Sequence, residues 1–314
     1  KKGPKPDNFF DLVRKGDLVT LSNSEPIQRI IQIPPAEAAF VSMNPKNGHI
    51  KTYIGGTNFL KTKFDRVRQS FPQTGSSFKP FIYASAISRG YDASSLINDA
   101  PIIFEDENLE DYWRPENYTK KFYGLTRLRE ALVQSINIVS IKLLRNIGVE
   151  NVRNDLQAFG FEKRRLPSDL SLALGSSSFS PIEMTRAFSI LVNEGNVQEP
   201  VYITKVEDRN GNIIYEHQSF SDDEAEDNIN FPWINNEENI KPIQLINEVG
   251  SVEDFDARST YVVKDILKET MQRGSNRRRT ESLSRNDFGG KTGTTNDSIS
   301  TWFSGCLLYT SPSP

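Results

Sequence analysis

The chain of 314 residues is long enough for one large domain or two smaller ones, with ample capacity to form a core. Its charged content of 25% and net charge of −3 are ordinary for a globular protein and argue against a nucleic-acid binder, which should carry a basic face. One cysteine and two histidines exclude an internal disulfide and a zinc site built on several histidines.

The first segment of the chain is predicted to contain short β-strands. Residues 17–21 follow a Lys-Gly turn, and residues 27–33 have alternating apolar character. Pro34 and Pro35 mark a boundary, and a β-hairpin follows over residues 38–54. The chain opens inside a loop, and we expect it to be a fragment of a longer protein.

A serine and a lysine three positions apart begin the next element. Ser76 and Lys79 precede an apolar run, and Pro80 suits a first helical turn, where its missing N–H has no intrahelical partner anyway. If a helix begins at Ser76, the two side chains share one face. The helix terminus would then favour a nucleophile whose reaction creates an oxyanion. Alone, however, the pair is a common chance match.

A second candidate lies within a long helical pattern over residues 126–144. Ser135 and Asn137 would lie inside this helix or between two helices. The same Ser-x-Asn spacing recurs at residues 42–44 and 284–286, so the tripeptide alone is uninformative. Only the copy at Ser135 lies in a helical context between Ser-x-x-Lys and the third motif.

The remaining elements are further helices and hairpins. The pattern predicts helices over residues 149–159, from a capping box at residues 180–183 to near residue 195, and over residues 260–271, with a second hairpin over residues 201–215. Residues 216–256 are acidic and weakly patterned, and we expect a solvated loop or insertion. Separated hairpins and helices predict an α+β fold with an antiparallel sheet.

The third motif follows two glycines on a predicted strand and consists of Lys291, Thr292, Gly293 and Thr294. In isolation it is also compatible with a simple turn. Ser-x-x-Lys, Ser-x-Asn and Lys-Thr-Gly-Thr in this order, with gaps of about 60 and 150 residues, form a strong combined signal.

The three motifs together resemble those of serine β-lactamases and penicillin-binding proteins. Further phrases are similar to the transpeptidase domain of class A penicillin-binding proteins of the 1A type, at residues 73–81, 113–117, 172–176, 289–297 and 302–303. The resemblance covers roughly residues 36–305. Thr74 departs from the family pattern, which usually has proline there.

The resemblance implies a penicillin-binding protein/serine β-lactamase-like α+β fold, with an antiparallel sheet flanked by helices. Residues 1–34 would be the end of a small OB-like domain and a linker. Residues 35–305 would form a transpeptidase domain that lacks its C-terminal part, and residues 306–314 a tail that does not match the family.

The activity implied by the resemblance is that of a peptidoglycan D,D-transpeptidase, inhibited by β-lactams. Its substrates would be stem peptides ending in D-Ala-D-Ala, with no cofactor and no metal. The parent chain would be a bifunctional glycosyltransferase/transpeptidase on the periplasmic side of the bacterial inner membrane. We expect a single-pass anchor upstream of this chain, and cell-wall activator proteins as further partners.

The resemblance also assigns roles to the motif residues. Ser76 would be the nucleophile, and Lys79 its base, provided that burial and the neighbouring Lys291 keep the amine uncharged. Ser135 would relay a proton to the leaving amine. The remaining residues would bind the substrate's amide, its extended backbone and its terminal carboxylate, namely Asn137, Gly293, Thr292 and Thr294.

Three other functions stay open at this point. In a D,D-carboxypeptidase, water replaces the acceptor amine, and the sequence does not separate the two cleanly. A serine β-lactamase also needs a deacylating base, usually in a Glu-x-x-x-Asn arrangement, but Glu162 is followed at that spacing by Leu166. A non-catalytic β-lactam sensor is the third.

A Ser-His-Asp hydrolase is disfavoured, because it would need His49 or His217, both expected on the surface.

Overall fold

The structure is a computed structural model, and it describes residues 7–21, 30–31, 36–104, 113–217, 255–274, 277, 287–295 and 299–307. The chain divides into two compact units, residues 1–38 and 39–314. The predicted boundary at residues 34 and 35, most of the predicted acidic loop and the tail beyond residue 307 lie outside the described residues.

The described residues of the first unit contain a short 3-10 helix, Phe9–Asp11, and a pair of strands. Strand β1 (Thr20–Leu21) pairs antiparallel with β2 (Ile30–Ile31), and all four strand residues are exposed. Both strands overlap the predicted β segments. An OB fold needs five strands closed into a partial barrel, so the OB-like assignment stays a prediction.

The second unit has its described strands in four antiparallel pairs. These pairs are β3 (Phe40–Met43) with β4 (Ile50–Ile54), β5 (Leu96–Asp99) with β6 (Gly124–Arg127), β7 (Lys205–Glu207) with β8 (Ile213–Glu216), and β9 (Phe288–Thr294) with β10 (Thr301–Leu307). The predicted antiparallel pairing and both predicted hairpins are therefore confirmed. Strand β10 continues past residue 305, where Cys306 and Leu307 pair with Gly289 and Phe288.

Six α-helices lie in the described part of the second unit. They are α1 (Lys79–Ser88), α2 (Leu128–Val133), α3 (Asn137–Ile147), α4 (Val149–Asp155), α5 (Pro181–Val192) and α6 (Ala257–Gln272). The predicted capping box opens α5, with Ser180 and Glu183 bonded reciprocally. The helical pattern over residues 126–144 divides into α2 and α3, with its first two residues in β6, so Ser135 has the second of its two predicted positions, between helices. None of the described helices is long and apolar enough to cross a membrane.

Helix α1 forms the centre of the core. Every residue from Lys79 to Ile87 is buried, and α1 packs against α3 and α6. A helix that is apolar all round belongs in a protein interior rather than at its surface. Aromatic rings surround its first turn, with centroids 4.6 to 6.0 Å apart among Phe78, Phe81, Phe159, Phe161, Phe179 and Phe188. This packing fixes the position of Lys79 at the beginning of α1.

Candidate active site

The Ser-x-x-Lys motif lies at the junction of a 3-10 turn and helix α1. The turn spans Gly75–Phe78, and Lys79 is the first α-helical residue, so the α-helix begins three residues later than predicted. Of the two adjacent serines, Ser77 is buried and donates to Thr74 O at 2.6 Å. The Ser76 side chain is partly exposed, which makes it the accessible hydroxyl of the motif.

The turn that carries Ser76 is attached to the segment 175–177. The backbone N–H of Gly75 donates to Gly175 O at 2.9 Å, and that of Thr74 donates to Ser177 O at 3.0 Å. The Thr74 hydroxyl lies within 3.3 Å of Gly175 O and 3.2 Å of Ser177 O. A proline at position 74 would lack both the N–H and the hydroxyl of Thr74 and would keep only the bond from Gly75, so the departure from the family pattern adds anchoring just before the nucleophile.

Ser135 lies in the break between α2 and α3. Its φ of +58° places it in the left-handed region, which is uncommon for a residue with a side chain. The backbone N–H of Ile136 donates to Ala131 O at 2.8 Å and closes the end of α2. The break then starts α3 at Asn137, so that both motif residues lie at the end of a helix and not on its side.

Lys79 connects the first two motifs directly. Its side chain is fully buried, and its Nζ donates to Ser135 O at 2.8 Å and to Asn137 Oδ1 at 2.7 Å. The Ser135 Oγ lies 3.4 Å from the same nitrogen. All three acceptors are uncharged oxygens. The structure therefore brings together Lys79, Ser135 and Asn137.

The environment of Lys79 disfavours its charged form. Burial lowers the pKa of its amine well below the ordinary value, and the positive charge of Lys291 lowers it further. Lys291 is buried as well, and burial lowers its own pKa to about 7. Burial of both amines near one another therefore disfavours the doubly charged state of the lysine pair.

Strand β9 places the third motif beside the nucleophile turn. A Cβ at Gly293 would lie 2.2 Å from Thr74 O, and a Cβ at Gly75 would lie 2.9 Å from Thr294 O. Because side chains alternate along a strand, Thr292 and Thr294 share the face opposite to Lys291. Thr294 is exposed and Thr292 partly so, which leaves both hydroxyls within reach of a ligand.

The buried charge of Lys291 predicts a specific pH dependence of stability. Between pH 7 and 10.5 the unfolded chain holds a proton on this amine that the folded chain has released, so stability rises with pH in that window. Below pH 7 both states are protonated and the full cost of burying the charge remains. We expect Lys291→Met to be more stable than wild type at pH 7, and this difference to shrink by roughly 1 kcal/mol per pH unit up to pH 9.

Urea unfolding of both proteins at pH 7, 8 and 9 measures that difference. Lys51→Met is the control, because Lys51 is exposed on β4 and its removal should leave the pH dependence of wild type unchanged. A constant difference between Lys291→Met and wild type across the three pH values would contradict the prediction.

Two residues that the sequence interpretation did not single out support the second motif. Asn117 accepts from the backbone N–H groups of Asn137 and Ile138, and Asp99 accepts from Asn117. Asn117 falls within the family phrase at residues 113–117, which is the only signal that could have drawn attention to it. Asp99 ends an alternating strand and carries no such signal.

The residues that a β-lactamase or a Ser-His-Asp hydrolase would need, a glutamate and a histidine, have other contacts in this structure. Glu162 is about half exposed and forms an ion pair with Arg164 Nε at 2.7 Å. His49 is half-buried, and its ring meets that of His217 edge-on with centroids 5.9 Å apart. The two histidines contact each other in the region where His49 bridges to Val201.

Comparison with known proteins agrees with this geometry. Residues 38–300 match the penicillin-binding protein transpeptidase domain. The chain belongs to that family. Penicillin-binding protein 1A of Pseudomonas aeruginosa is 38% identical to it over an alignment of 326 positions, gaps included, that covers 96% of this chain and 39% of that protein. This transpeptidase domain thus spans about two fifths of the length of the curated relatives that it matches.

Solved structures show the same fold as this transpeptidase domain. Penicillin-binding protein 1A from Haemophilus influenzae matches with a TM-score of 0.76 at 32% identity, over 91% of this chain and 44% of that one. The PonA1 protein from Mycobacterium tuberculosis, in complex with penicillin V, matches with a TM-score of 0.63 at 20% identity, over 88% of this chain and 67% of that one. The predicted penicillin-binding fold is therefore confirmed.

Proposed function

We propose that this transpeptidase domain cross-links peptidoglycan stem peptides through an acyl-enzyme on Ser76. The observation that carries the proposal is the buried Lys79 amine, which is held by Ser135 and Asn137 immediately after the turn with Ser76. A lysine so placed, with a lowered pKa and no anionic partner among its three acceptors, is suited to accept a proton.

The contacts of Lys79 support its role as the base. A neutral amine has two hydrogens, and the bonds to Ser135 O and Asn137 Oδ1 use both of them. The nitrogen lone pair then remains for the proton of the Ser76 hydroxyl. The freed Ser76 Oγ attacks the carbonyl carbon between the two terminal D-alanines, and the backbone N–H groups of Ser76 and Thr294 stabilise the oxyanion.

The rest of the cycle restores the enzyme. The C–N bond breaks, and the proton passes from Lys79 through the Ser135 hydroxyl to the departing D-alanine, leaving an ester on Ser76. An amine of a neighbouring stem peptide attacks the ester carbonyl, its proton returns to Ser76 Oγ, and the cross-link forms. The hydroxyls of Thr292 and Thr294 hold the substrate carboxylate, while Lys291 contributes positive potential.

The lack of a side chain at Gly293 lets β9 lie against the turn that carries Ser76, which puts this strand beside the nucleophile for substrate binding. An extended D-Ala-D-Ala peptide can lie along this strand as an added strand. The bond from Asn137 Nδ2 to Glu116 O at 2.9 Å fixes the orientation of this side chain, and its second Nδ2 hydrogen and the second lone pair of Oδ1 remain for the substrate amide. Penicillins mimic the same D-Ala-D-Ala end and stop at the acyl-enzyme.

The proposal also concerns the longer protein to which this domain belongs. Relatives named penicillin-binding protein 1A are more than twice as long as the matching region. We infer that the parent protein also carries a peptidoglycan glycosyltransferase and is anchored in the inner membrane facing the periplasm. Cell-wall activator proteins are proposed partners of that parent.

Mass spectrometry of the chain labelled with a fluorescent penicillin tests the proposal. We expect one adduct per chain, on the peptide that contains Ser76, and an adduct that persists for many minutes. Release of D-alanine from a pentapeptide substrate then separates an enzyme from a sensor, and addition of an acceptor amine separates transpeptidation from hydrolysis. A label on another residue would contradict the assignment, and rapid turnover of nitrocefin would indicate a β-lactamase.

A further inference from the structure

Helix α3 has an unusual N-terminal cap. The first backbone N–H groups of a helix have no intrahelical partner, and the residue just before the helix normally accepts from one of them. That residue is Ile136, which has no acceptor in its side chain. The Oδ1 of Asn117 accepts instead, from Asn137 N at 3.0 Å and from Ile138 N at 3.1 Å.

The orientation of the Asn117 amide is fixed from its other end. Its Nδ2 donates to both carboxylate oxygens of Asp99, at 2.9 and 3.0 Å, and to Lys121 O at 2.8 Å. Asp99 also accepts from Tyr123 N at 2.9 Å. The exposed fractions of Asp99 and Asn117 are 1% and 4%, so water does not compete for these bonds.

The capped residue is the one that holds the amine of Lys79. Asn137 is both the first residue of α3 and the acceptor of the 2.7 Å bond from Lys79 Nζ. A shift of the α3 N-terminus would therefore move the Asn137 and Ser135 acceptors away from that amine. Misplacement of a reacting group by about 1 Å can cost about 100-fold in rate.

From this arrangement we propose that Asp99 and Asn117 are positioning residues for acylation. The Asp99 carboxylate orients the Asn117 amide, which in turn holds Asn137 and Ser135 against Lys79. The inference rests on the proposed function, in which Lys79 is the base for Ser76. Neither residue touches the reacting atoms, so their effect acts entirely through the second motif.

Exchanging the side chains of Asp99 and Asn117, singly and together, tests the proposed positioning role. Asn117→Asp places two carboxylates face to face, and we expect it to lower the rate constant of acylation by fluorescent penicillin about 10- to 100-fold. Asp99→Asn removes one acceptor of the Asn117 amide and should have a smaller effect. In the double variant Asp99→Asn/Asn117→Asp, the new Asn donates to the new Asp, whose other oxygen still caps α3, but the bond to Lys121 O is lost because a carboxylate cannot donate. We therefore expect a partial recovery, with acylation at least about 3-fold faster than in Asn117→Asp.

Glu199→Gln is the matched control, because Glu199 also holds a buried polar side chain, that of Arg186, with a bond of 2.9 Å to its Nε. It should lower the melting temperature without changing the acylation rate of the folded protein. Recovery in the double variant supports positioning, since a mere loss of stability would add up over the two substitutions. Unchanged acylation in Asn117→Asp, or additive losses in the double variant, would overturn the proposal.

Hydrogen exchange at the backbone amides of Asn137 and Ile138 separates this inference from the proposed function. Both amides should be protected in wild type and should exchange at least about 10-fold faster in Asn117→Ala. Equal exchange in the two proteins would overturn the cap whatever the activity. If wild type took no label on Ser76 but the exchange changed as expected, the proposed function would fail while the cap stood.

Discussion

Methionine in place of Lys79 is expected to slow the acylation of Ser76 by a fluorescent penicillin about 10³-fold, the range expected for loss of a general base. The side chains have similar volume, so Lys79→Met should keep the packing of α1 while removing the amine. The physical reason is that Ser76 then has no group of suitable pKa to accept its proton. Stopped-flow or gel-based labelling over a pH series measures the rate constant.

The dependence of the wild-type acylation rate on pH should follow the deprotonation of the same Lys79 amine. Since burial and Lys291 lower the pKa of Lys79, acylation should reach its plateau at a pH well below the ordinary lysine value. Removal of the neighbouring cation in Lys291→Met should move the rise of the profile to higher pH. A profile that stays in place after this substitution would contradict the coupling between the two lysines.

Two variants serve as controls for the loss in Lys79→Met. Lys79→Arg keeps a cation but cannot act as a base, so it should be as impaired as the methionine variant. Tyr83→Phe removes another buried polar group from α1, the hydroxyl that lies 3.2 Å from Ser140 Oγ. It should retain acylation while losing about 1 kcal/mol of stability. Near-normal labelling of Lys79→Arg would mean that charge, and not proton transfer, is what Lys79 provides.

Alanine in place of Gly175 is expected to destabilise the fold by more than about 4 kcal/mol. Its φ is +70°, and a Cβ there would lie 1.9 Å from the carbonyl oxygen of Gly75. The obstacle is backbone, which cannot rotate away as a flexible side chain could. The bonds from Gly75 N and Thr74 N to this segment would have to break, and the Ser76 turn would lose its support.

Gly211→Ala separates the two causes of that loss. Gly211 has a φ of +85° in the turn between β7 and β8, but nothing lies within 4 Å of its added Cβ. Its substitution therefore introduces only backbone strain, about 1 kcal/mol. Urea unfolding of both variants, with penicillin labelling of each, gives the comparison. Similar losses in the two variants would show that contact with Gly75 is not what requires glycine at position 175.

Local sequence signals predicted the elements whose causes are local. The hairpin turns, the proline in the first turn of α1 and the capping box of α5 each depend on residues within a few positions of one another. The order of the three motifs indicated, through the family resemblance, that Ser135 lies near Lys79, but the bond from Lys79 to Asn137 was not predicted.

The errors come from interactions between distant parts of the chain. The apolar pattern continues through residues 134–136 with neither glycine nor proline, so periodicity gave no reason to end α2 at Val133. Helix α3 begins where it does because Asn117, 20 positions earlier, supplies its cap. The 3-10 geometry of the turn with Ser76 likewise depends on residues about 100 positions later. Such partners cannot be read from spacing alone.

The left-handed backbone at Ser135 puts stability and activity in conflict at this position. Glycine adopts this conformation freely, so Ser135→Gly is the kind of substitution that a search for thermotolerant variants would select. The same change deletes the hydroxyl beside Lys79. Optimising this domain for heat resistance would thus drive it toward inactivity, and screens for durable variants should score turnover alongside melting.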